Sequence, residues 1–255
     1  MAIYNALNPG FGAKERFVLA LDVDDKREAL DLVSELKDRV GIFKVGHQLF
    51  TASGPDIVRS IIEMGGRVFL DLKYHDIPNT VANAAAEAVR LGVSILNVHA
   101  LGGLDMMRAA AKSASEAAAR LGIPVPMVLA VTILTSMDQG SLRRELKIAR
   151  SLRREVCHLA RLAQRAGLAG VVASPMEIKM LRRAVRGPFV ILTPGVRPLW
   201  AGSDDQKRIM TPGEAVSAGA DYIVVGRPVL KASDRRAAVD KIIKEMEEAL
   251  SSCAN

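Results

Sequence analysis

Eight apolar runs alternate with helical segments along this chain, and the pattern predicts an α/β fold, a single-domain (β/α)8 or TIM barrel. The runs are continuously apolar, which is typical of strands covered on both faces in a parallel sheet. The length of 255 residues also suits one barrel. A doubly wound open sheet is the main alternative, but no GxGxxG motif follows the first run and no linker divides the chain.

The predicted elements follow one another in a regular order. Strands are expected at residues 17–22, 41–46, 67–73, 93–99, 125–132, 170–174, 189–195 and 222–227. Helices are expected at residues 26–40, 55–64, 81–91, 104–121, 143–165, 175–185, 211–218 and 235–250. Residues 1–16 contain no apolar run, so we predict an N-terminal extension that is not a secretion signal, followed by a barrel domain at 17–255.

The net charge of +7 raises the question of nucleic acid binding. The densest basic region is 143–165, where arginines recur at helical spacing among Leu and Ala. No aromatic residue interleaves with them to stack on bases, so a solvated helix face explains the region better than an RNA-binding module, which stays a remote alternative. No segment reaches the length of a membrane span, and we expect a cytoplasmic location.

Charged residues gather at the ends of the first three predicted strands. Asp22 ends the first, Lys44 lies near the end of the second, and Asp71 and Lys73 end the third. The carboxyl ends of parallel strands meet at one rim of a barrel, where the functional groups of such barrels lie. Asp71 and Lys73 are two residues apart, so they point the same way on an extended strand. A salt bridge that merely ends a strand is the alternative, but four converging charges favour a site.

Two loops near the end of the chain are suited to bind a phosphate group. Gly226 and Arg227 close the eighth strand, and the loop at 196–209 contains Arg197 and Gln206. Barrels often bind phosphate between the loops after strands seven and eight. Backbone N–H groups beside a glycine and an arginine fork match the geometry of a phosphate. The alternative is a solvated arginine at a capped strand end.

The histidines and cysteines do not form a recognisable metal motif. His47, His75, His99 and His158 lack the i, i+4 pairing of a helical metal site, and Cys157 and Cys253 fit no metal or disulfide spacing. We therefore predict no metal site and a half-buried free thiol at Cys157.

The string Asp71-Leu72-Lys73-Tyr74-His75-Asp76-Ile77-Pro78-Asn79-Thr80 resembles the signature of orotidine 5′-phosphate decarboxylases, Asp-x-Lys-x-x-Asp-Ile-Pro-Asn-Thr. Other pieces match the family in the same order, so the resemblance covers nearly all of 17–230. These pieces are Ala20-Leu21-Asp22, Phe43-Lys44-Val45-Gly46, Asn97-Val98-His99-Ala100, Leu134-Thr135-Ser136-Met137, Thr193-Pro194-Gly195-Val196-Arg197-Pro198, Asp205-Gln206-Lys207-Arg208-Ile209-Met210-Thr211-Pro212 and Val225-Gly226-Arg227-Pro228.

The resemblance implies a role for each matching residue. Catalysis would rest on an alternating charge network under the pyrimidine, made of Lys44, Asp71, Lys73 and Asp76. The substrate would be held at its ribose by Asp22, Lys44 and Thr80, at its pyrimidine by Thr135, Ser136 and Pro194, and at its phosphate by Gln206, Gly226 and Arg227, with Arg197 a further candidate. The resemblance also implies a homodimer in which Asp76, Ile77 and Thr80 serve the neighbouring subunit's site.

The expected chemistry suits these residue types. Loss of carbon dioxide from a ring carbon leaves a carbanion with little delocalisation, so a fixed ammonium is needed beside that carbon and a proton must follow. Lys73 can supply both, and flanking carboxylates favour its charged form. No cofactor is implied. The main rival is a keto-sugar-phosphate decarboxylase or aldolase of the same barrel type, which usually needs a divalent metal; the Ile77 to Thr80 continuation favours the nucleotide enzyme.

Overall fold

Eight parallel strands close into a barrel in the order of the chain, and the first strand pairs with the last. The computed structural model describes residues 11–201 and 210–253. The strands are β1 Phe17–Ala20, β2 Ile42–Gly46, β3 Val68–Tyr74, β4 Ile95–His99, β5 Met127–Val131, β6 Gly170–Val172, β7 Val190–Pro194 and β8 Tyr222–Val225. The predicted (β/α)8 barrel is confirmed.

The helices lie between the strands and cover the outside of the barrel. They are α1 Ala13–Arg16, α2 Lys26–Leu36, α3 His47–Ser53, α4 Asp56–Glu63, α5 Pro78–Arg90, α6 Gly103–Leu121, α7 Gln139–Arg144, α8 Leu152–Arg165, α9 Ile178–Ala184, α10 Pro212–Ser217, α11 Arg227–Leu230 and α12 Arg235–Cys253. No helix in this part of the chain is long and apolar enough to cross a membrane. The assignment of 1–16 as an extension stays a prediction, since 1–10 lie outside the described residues.

The strands separate two layers of apolar side chains. Inside the barrel, side chains from alternate positions such as Val18, Phe69 and Leu129 form one buried cluster. The intervening positions, such as Leu19 and Leu70, pack against the helices in a second and larger cluster. Both faces of each strand are therefore apolar, which is why the runs in the sequence are continuous.

The basic region 143–165 is not one helix, and that prediction is wrong. Asp138 caps α7 by accepting a hydrogen bond from the Ser141 N–H at 2.8 Å, and Ser151 caps α8 by accepting one from the Arg154 N–H. Between the two helices, Lys147 has a φ of +56°, which no residue within an α-helix adopts. Ser151 caps the start of a new helix, which fixes the carboxyl side of the break. Cys157 is a half-buried free thiol, as predicted.

The expected strand 222–227 is also too long. β8 ends at Val225, because Gly226 leaves the extended region at φ −123° and ψ −92° and Pro228 lies in the first turn of α11. Pro78 takes the first position of α5, as its missing N–H predicts.

A buried polar clamp joins β7 and β8 at the amino end of the barrel. The guanidinium of Arg182 donates to the carbonyl oxygens of Gly219 and Phe189 and to the carboxylate of Asp221. Asp221, whose side chain is 9% exposed, also accepts the Ile191 N–H at 2.7 Å. This rim of a barrel contributes stability rather than chemistry.

We expect Asp221→Ala to lower the free energy of unfolding by about 3 kcal/mol, because it leaves the Arg182 charge and the Ile191 N–H without their partner. The matched control is Asp56→Ala, which breaks an exposed pair with Arg59 and should change stability by less than about 0.5 kcal/mol. Urea unfolding of both variants checks the prediction. Equal losses in the two variants would contradict the role of the clamp.

Candidate active site

Four charged side chains of alternating sign form a chain of ion pairs at the carboxyl rim. The Nζ of Lys44 lies 3.0 Å from Oδ1 of Asp22 and 3.6 Å from Oδ2 of Asp71. The Nζ of Lys73 lies 2.7 Å from Oδ1 of Asp71. The side chains of Lys44 and Asp71 are only 10% and 15% exposed, so each charge depends on its neighbours of opposite sign. The predicted convergence of charges at this rim is confirmed.

Gly46 leaves the room that the Lys44 ammonium occupies. A Cβ at position 46 would lie 2.8 Å from Nζ of Lys44 and 3.6 Å from Oδ1 of Asp22. Gly46 also pairs with Asp71 across β2 and β3, so a side chain there would meet the ion pairs directly. Sequence reasoning quoted Gly46 as part of a motif and missed this steric requirement.

Lys73 has an unusual backbone, with a φ of +48° at the end of β3. Lysine rarely adopts this left-handed conformation, which costs free energy unless the surroundings hold it. Its N–H donates to Oδ1 of Asn97 at 2.7 Å, and Nδ2 of Asn97 donates to Oδ1 of Asp71 at the same distance. Sequence reasoning assigned no role to Asn97. A polar amide within the otherwise apolar 95–98 run is the signal that could have found it, because a buried amide needs partners.

A cavity of about 220 Å³ opens directly beside these charges. Lys44, Asp71 and Lys73 line one side. The rest of the lining is mainly apolar and includes Thr135 and Pro194, with Phe69, Val131, Ile133, Leu134, Val172, Ala173, Leu192 and Val224. Of the residues predicted to face a ring, Thr135 and Pro194 therefore lie at the cavity. Ser136 is exposed and is not part of the lining.

Arg197 and Arg227 meet at a second cavity, of about 190 Å³, that is also lined by Trp200 and Lys231. Arg197 is buried, and its N–H donates to the carbonyl oxygen of Met210 at 3.0 Å. Arg227 is the exposed first residue of α11. The loops after β7 and β8 thus bring two guanidinium groups together, a suitable setting for a phosphate. Gln206 lies outside the described residues.

Gly226 connects this second cavity with the charged chain. A Cβ at position 226 would lie 3.3 Å from the Ala20 Cβ and 3.6 Å from Oδ2 of Asp22. The backbone that leads into Arg227 therefore passes close to the first carboxylate of the chain. A ligand that reaches from the first cavity to the second would pass Asp22.

Asp76, Ile77 and Thr80 point into solvent in the single chain. Oδ1 of Asp76 accepts the N–H of Ile77 at 2.6 Å. Within residues 11–201 and 210–253, no Lys or Arg nitrogen lies within 4 Å of the Asp76 carboxylate. Ile77 is 65% exposed, which is unusual for a large apolar side chain. Within the chain, the four linked charges are Asp22, Lys44, Asp71 and Lys73, and Asp76 does not join them.

Two histidines stack where the loops after β3 and β4 meet. The ring centroids of His75 and His99 lie 5.4 Å apart with an interplanar angle of 19°. Nδ1 of His99 accepts the N–H of Leu101 at 3.3 Å. Sequence reasoning found no relation between these histidines, because they are 24 positions apart in the chain. Among the residues that the structure describes, no group of three or more His, Cys, Asp or Glu side chains has the geometry to hold a metal ion.

Burial of His99, together with the positive charges of His75 and Lys73, lowers the pKa of His99 from 6.5 to about 4. The unfolded chain therefore binds a proton at this residue more readily than the folded protein does. Its contribution to stability is complete above about pH 6.5 and is lost as the pH falls towards about 4. We expect His99→Gln to reduce the loss of unfolding free energy between about pH 7 and about pH 5 in urea titrations. Equal losses in the variant and the wild type would contradict this.

A closed parallel barrel with paired lysines and aspartates beside a cavity at its carboxyl rim defines a (β/α)8-barrel enzyme. The family model described as "Orotidine 5'-phosphate decarboxylase / HUMPS family" matches residues 15–242, and the chain belongs to this family. The protein is a carbon–carbon lyase of the carboxy-lyase class.

Relatives match over nearly their whole length. A protein of Moorella thermoacetica named orotidine 5'-phosphate decarboxylase is 52% identical over 235 residues, which cover 92% of this chain and 93% of that protein. The protein of the same name from Syntrophotalea carbinolica is 53% identical, with coverage of 93% and 97%. The crystal structure of orotidine 5'-phosphate decarboxylase from Lactobacillus acidophilus superposes with a TM-score of 0.81 at 39% identity, with coverage of 90% and 98%.

Proposed function

We propose that this enzyme converts orotidine 5′-phosphate to uridine 5′-phosphate and carbon dioxide, the last step of de novo pyrimidine nucleotide synthesis. The observation that carries the proposal is the Lys73 ammonium, held 2.7 Å from the Asp71 carboxylate beside a mainly apolar cavity. An apolar cavity accommodates a planar ring, and the fixed positive charge of the ammonium stabilises the negative charge that decarboxylation creates. The names of the relatives support the same substrate.

The proposed reaction breaks the bond between C6 of the pyrimidine and its carboxylate. Carbon dioxide leaves, and the electron pair of that bond stays on C6. Lys73 stabilises this pair by its charge and then transfers a proton to it, which forms the C6–H bond. The neutral amine regains a proton from water, so one proton is consumed in each turnover. No cofactor and no metal takes part in this proposal.

Asp71 holds the side chains of Lys73 and Lys44 in place at the site. Lys44 lies between Asp22 and Asp71, so it neutralises part of the negative charge on both. Asp71 keeps the ammonium of Lys73 in place through an ion pair of 2.7 Å. The catalytic residues in this proposal are Lys73, Asp71 and Lys44 of one chain and Asp76 of a second copy of the chain.

The rest of the substrate spans the two cavities. We assign the ribose hydroxyls to Asp22, Lys44 and Thr80 of the second copy, the pyrimidine to Thr135 and Pro194, and the phosphate to Arg197, Gln206, Gly226 and Arg227. Ser136 stays a predicted pyrimidine contact, since it does not line the first cavity. Two arginines at the second cavity support the phosphate assignment, because guanidinium groups suit phosphate oxygens. The phosphate is remote from the bond that breaks, so its binding energy can be used to hold the pyrimidine at the reacting groups.

The site is proposed to be completed by a second copy of the chain. Asp76, Ile77 and Thr80 are exposed in the single chain, and Ile77 lies two residues beyond His75, whose ring stacks on His99. Leu101, two residues beyond His99, is 36% exposed, so two apolar side chains flank the same region. An interface there would cover them. The homodimer and the cytoplasmic location stay predictions.

The ultraviolet absorbance of orotidine 5′-phosphate, mixed with catalytic amounts of the purified protein in EDTA, tests the proposal. We expect loss of the orotate absorbance and formation of uridine 5′-phosphate. No change in a folded sample would reject this substrate. Activity on a keto-sugar phosphate that depends on added magnesium would then support the rival of the same barrel type.

A further inference from the structure

Asn97 is a polar side chain in the middle of an apolar strand. It lies in β4 and is 0% exposed. Its neighbours inside the barrel are apolar, such as Ile95 two positions before it. A buried amide without partners would destabilise the fold, so its hydrogen bonds indicate what it does.

The pairing between β3 and β4 is interrupted at this residue. Leu70 pairs with Leu96 and Tyr74 pairs with Val98, so three residues of β3 lie opposite Asn97 alone. Those three are residues 71–73, which include both members of the Asp71–Lys73 ion pair. A bulge of this kind interrupts the backbone ladder and redirects side chains. The Lys73 N–H instead donates to the side-chain Oδ1 of Asn97 at 2.7 Å.

The orientation of the Asn97 amide follows from its two partners. Its Nδ2 donates to a carboxylate oxygen of Asp71, which only accepts, and its Oδ1 accepts from the Lys73 N–H, which only donates. The flipped amide would set an oxygen against the carboxylate and an NH2 against an N–H. Both bonds therefore depend on one orientation, and the Asp71 oxygen that receives Nδ2 is the one that receives the Lys73 ammonium.

We propose that Asn97 is a positioning residue of the active site that holds the Lys73 backbone in its left-handed conformation and fixes the Asp71 carboxylate against the Lys73 ammonium. It acts through these two residues and does not itself touch the substrate. The effect of Asn97 on turnover rests on the proposed function, whereas its positioning of Lys73 and Asp71 does not.

Two variants separate the two hydrogen bonds. Asn97→Leu keeps a similar volume and removes both the donor and the acceptor. Asn97→Asp keeps the acceptor for the Lys73 N–H and provides a donor to Asp71 only while its own carboxyl is protonated. Thr132→Val is the matched control, because Thr132 is also buried and donates to the Val172 carbonyl, but it lies on the face of the chain opposite the cavity-lining Val131 and Ile133.

Crystal structures of the variants test the positioning without any assay. In Asn97→Leu we expect Lys73 to leave the left-handed region and the contact between Lys73 Nζ and Asp71 to lengthen. In Asn97→Asp the Lys73 backbone should stay as it is. Unchanged Lys73 and Asp71 in Asn97→Leu would overturn the proposal. If Asn97→Leu does not fold, Asn97→Asp still tests the proposal. A changed Lys73 backbone in Asn97→Asp would contradict the role of the side-chain oxygen at position 97 as the acceptor.

Kinetics with orotidine 5′-phosphate test what the positioning does. A misplacement near 1 Å costs roughly 100-fold, so we expect kcat of Asn97→Leu to fall about 100-fold while KM changes little. The deficit of Asn97→Asp relative to wild type should grow as the pH rises, because the donor is lost when its carboxyl ionises. Thr132→Val should keep its kcat. A normal kcat in Asn97→Leu would overturn the link to turnover, and an inactive wild type would reject the proposed function while the crystal structures still decide the positioning.

Discussion

Replacing Lys73 with alanine is expected to lower kcat for orotidine 5′-phosphate by roughly 10⁴-fold or more. The variant loses both the proton donor and the fixed positive charge beside C6, and each contributes about 10²–10⁴-fold in enzymes of known mechanism. It also leaves the Asp71 carboxylate without the ammonium that lies 2.7 Å away. Steady-state kinetics with high enzyme concentrations measure the residual rate.

Binding should survive this change far better than turnover. The arginines assigned to the phosphate lie at the second cavity, so calorimetry should still detect uridine 5′-phosphate binding to Lys73→Ala. The matched control is Lys112→Ala, which removes an exposed lysine of α6 that is 3.8 Å from Glu116 and should leave kcat unchanged. Near-normal turnover in Lys73→Ala would remove Lys73 from the role of proton donor.

Replacing Arg227 with alanine is expected to raise KM by roughly 100-fold, with a smaller loss in kcat. A charge-assisted bond to phosphate is worth about 2–3 kcal/mol, and each 1.4 kcal/mol is tenfold in affinity. The phosphate keeps its charge in the substrate and the product, so this interaction contributes mainly to binding. The smaller fall in kcat would reflect the loss of phosphate binding energy that helps to position the substrate at Lys73.

The control for Arg227 is Arg236→Ala, which removes an exposed arginine of α12 and should leave both constants unchanged. Initial rates over a wide range of substrate concentrations separate KM from kcat. An unchanged KM in Arg227→Ala would exclude this arginine from the phosphate site.

The sequence predicted the barrel because its signals are local. A run such as Val68-Phe69-Leu70 is apolar on both faces of the strand, and this composition alone indicates coverage on both sides. Pro78 likewise indicates the start of α5 from its own chemistry. The break in the basic region was missed, because arginine and leucine recur at helical spacing on both sides of it, and the capping residue Ser151 was not considered.

The sequence predicted the charged half of the site and missed what holds it. Asp22, Lys44, Asp71 and Lys73 end strands, and a parallel barrel brings such ends together. The left-handed Lys73 could not be predicted, because it arises from a shift in register between two strands. The roles of Asn97 and of the His75–His99 stack depend on the same strand-to-strand geometry, which no short motif specifies.

Product analysis in D2O tests the central claim most directly. The purified protein is incubated with orotidine 5′-phosphate in D2O with EDTA, and the product is examined by mass spectrometry and proton NMR. We predict uridine 5′-phosphate that carries one deuterium at C6, formed together with one equivalent of carbon dioxide, because the exchanged ammonium of Lys73 protonates the C6 carbanion. Absence of this product, or its formation only when a divalent metal is added, would contradict the account.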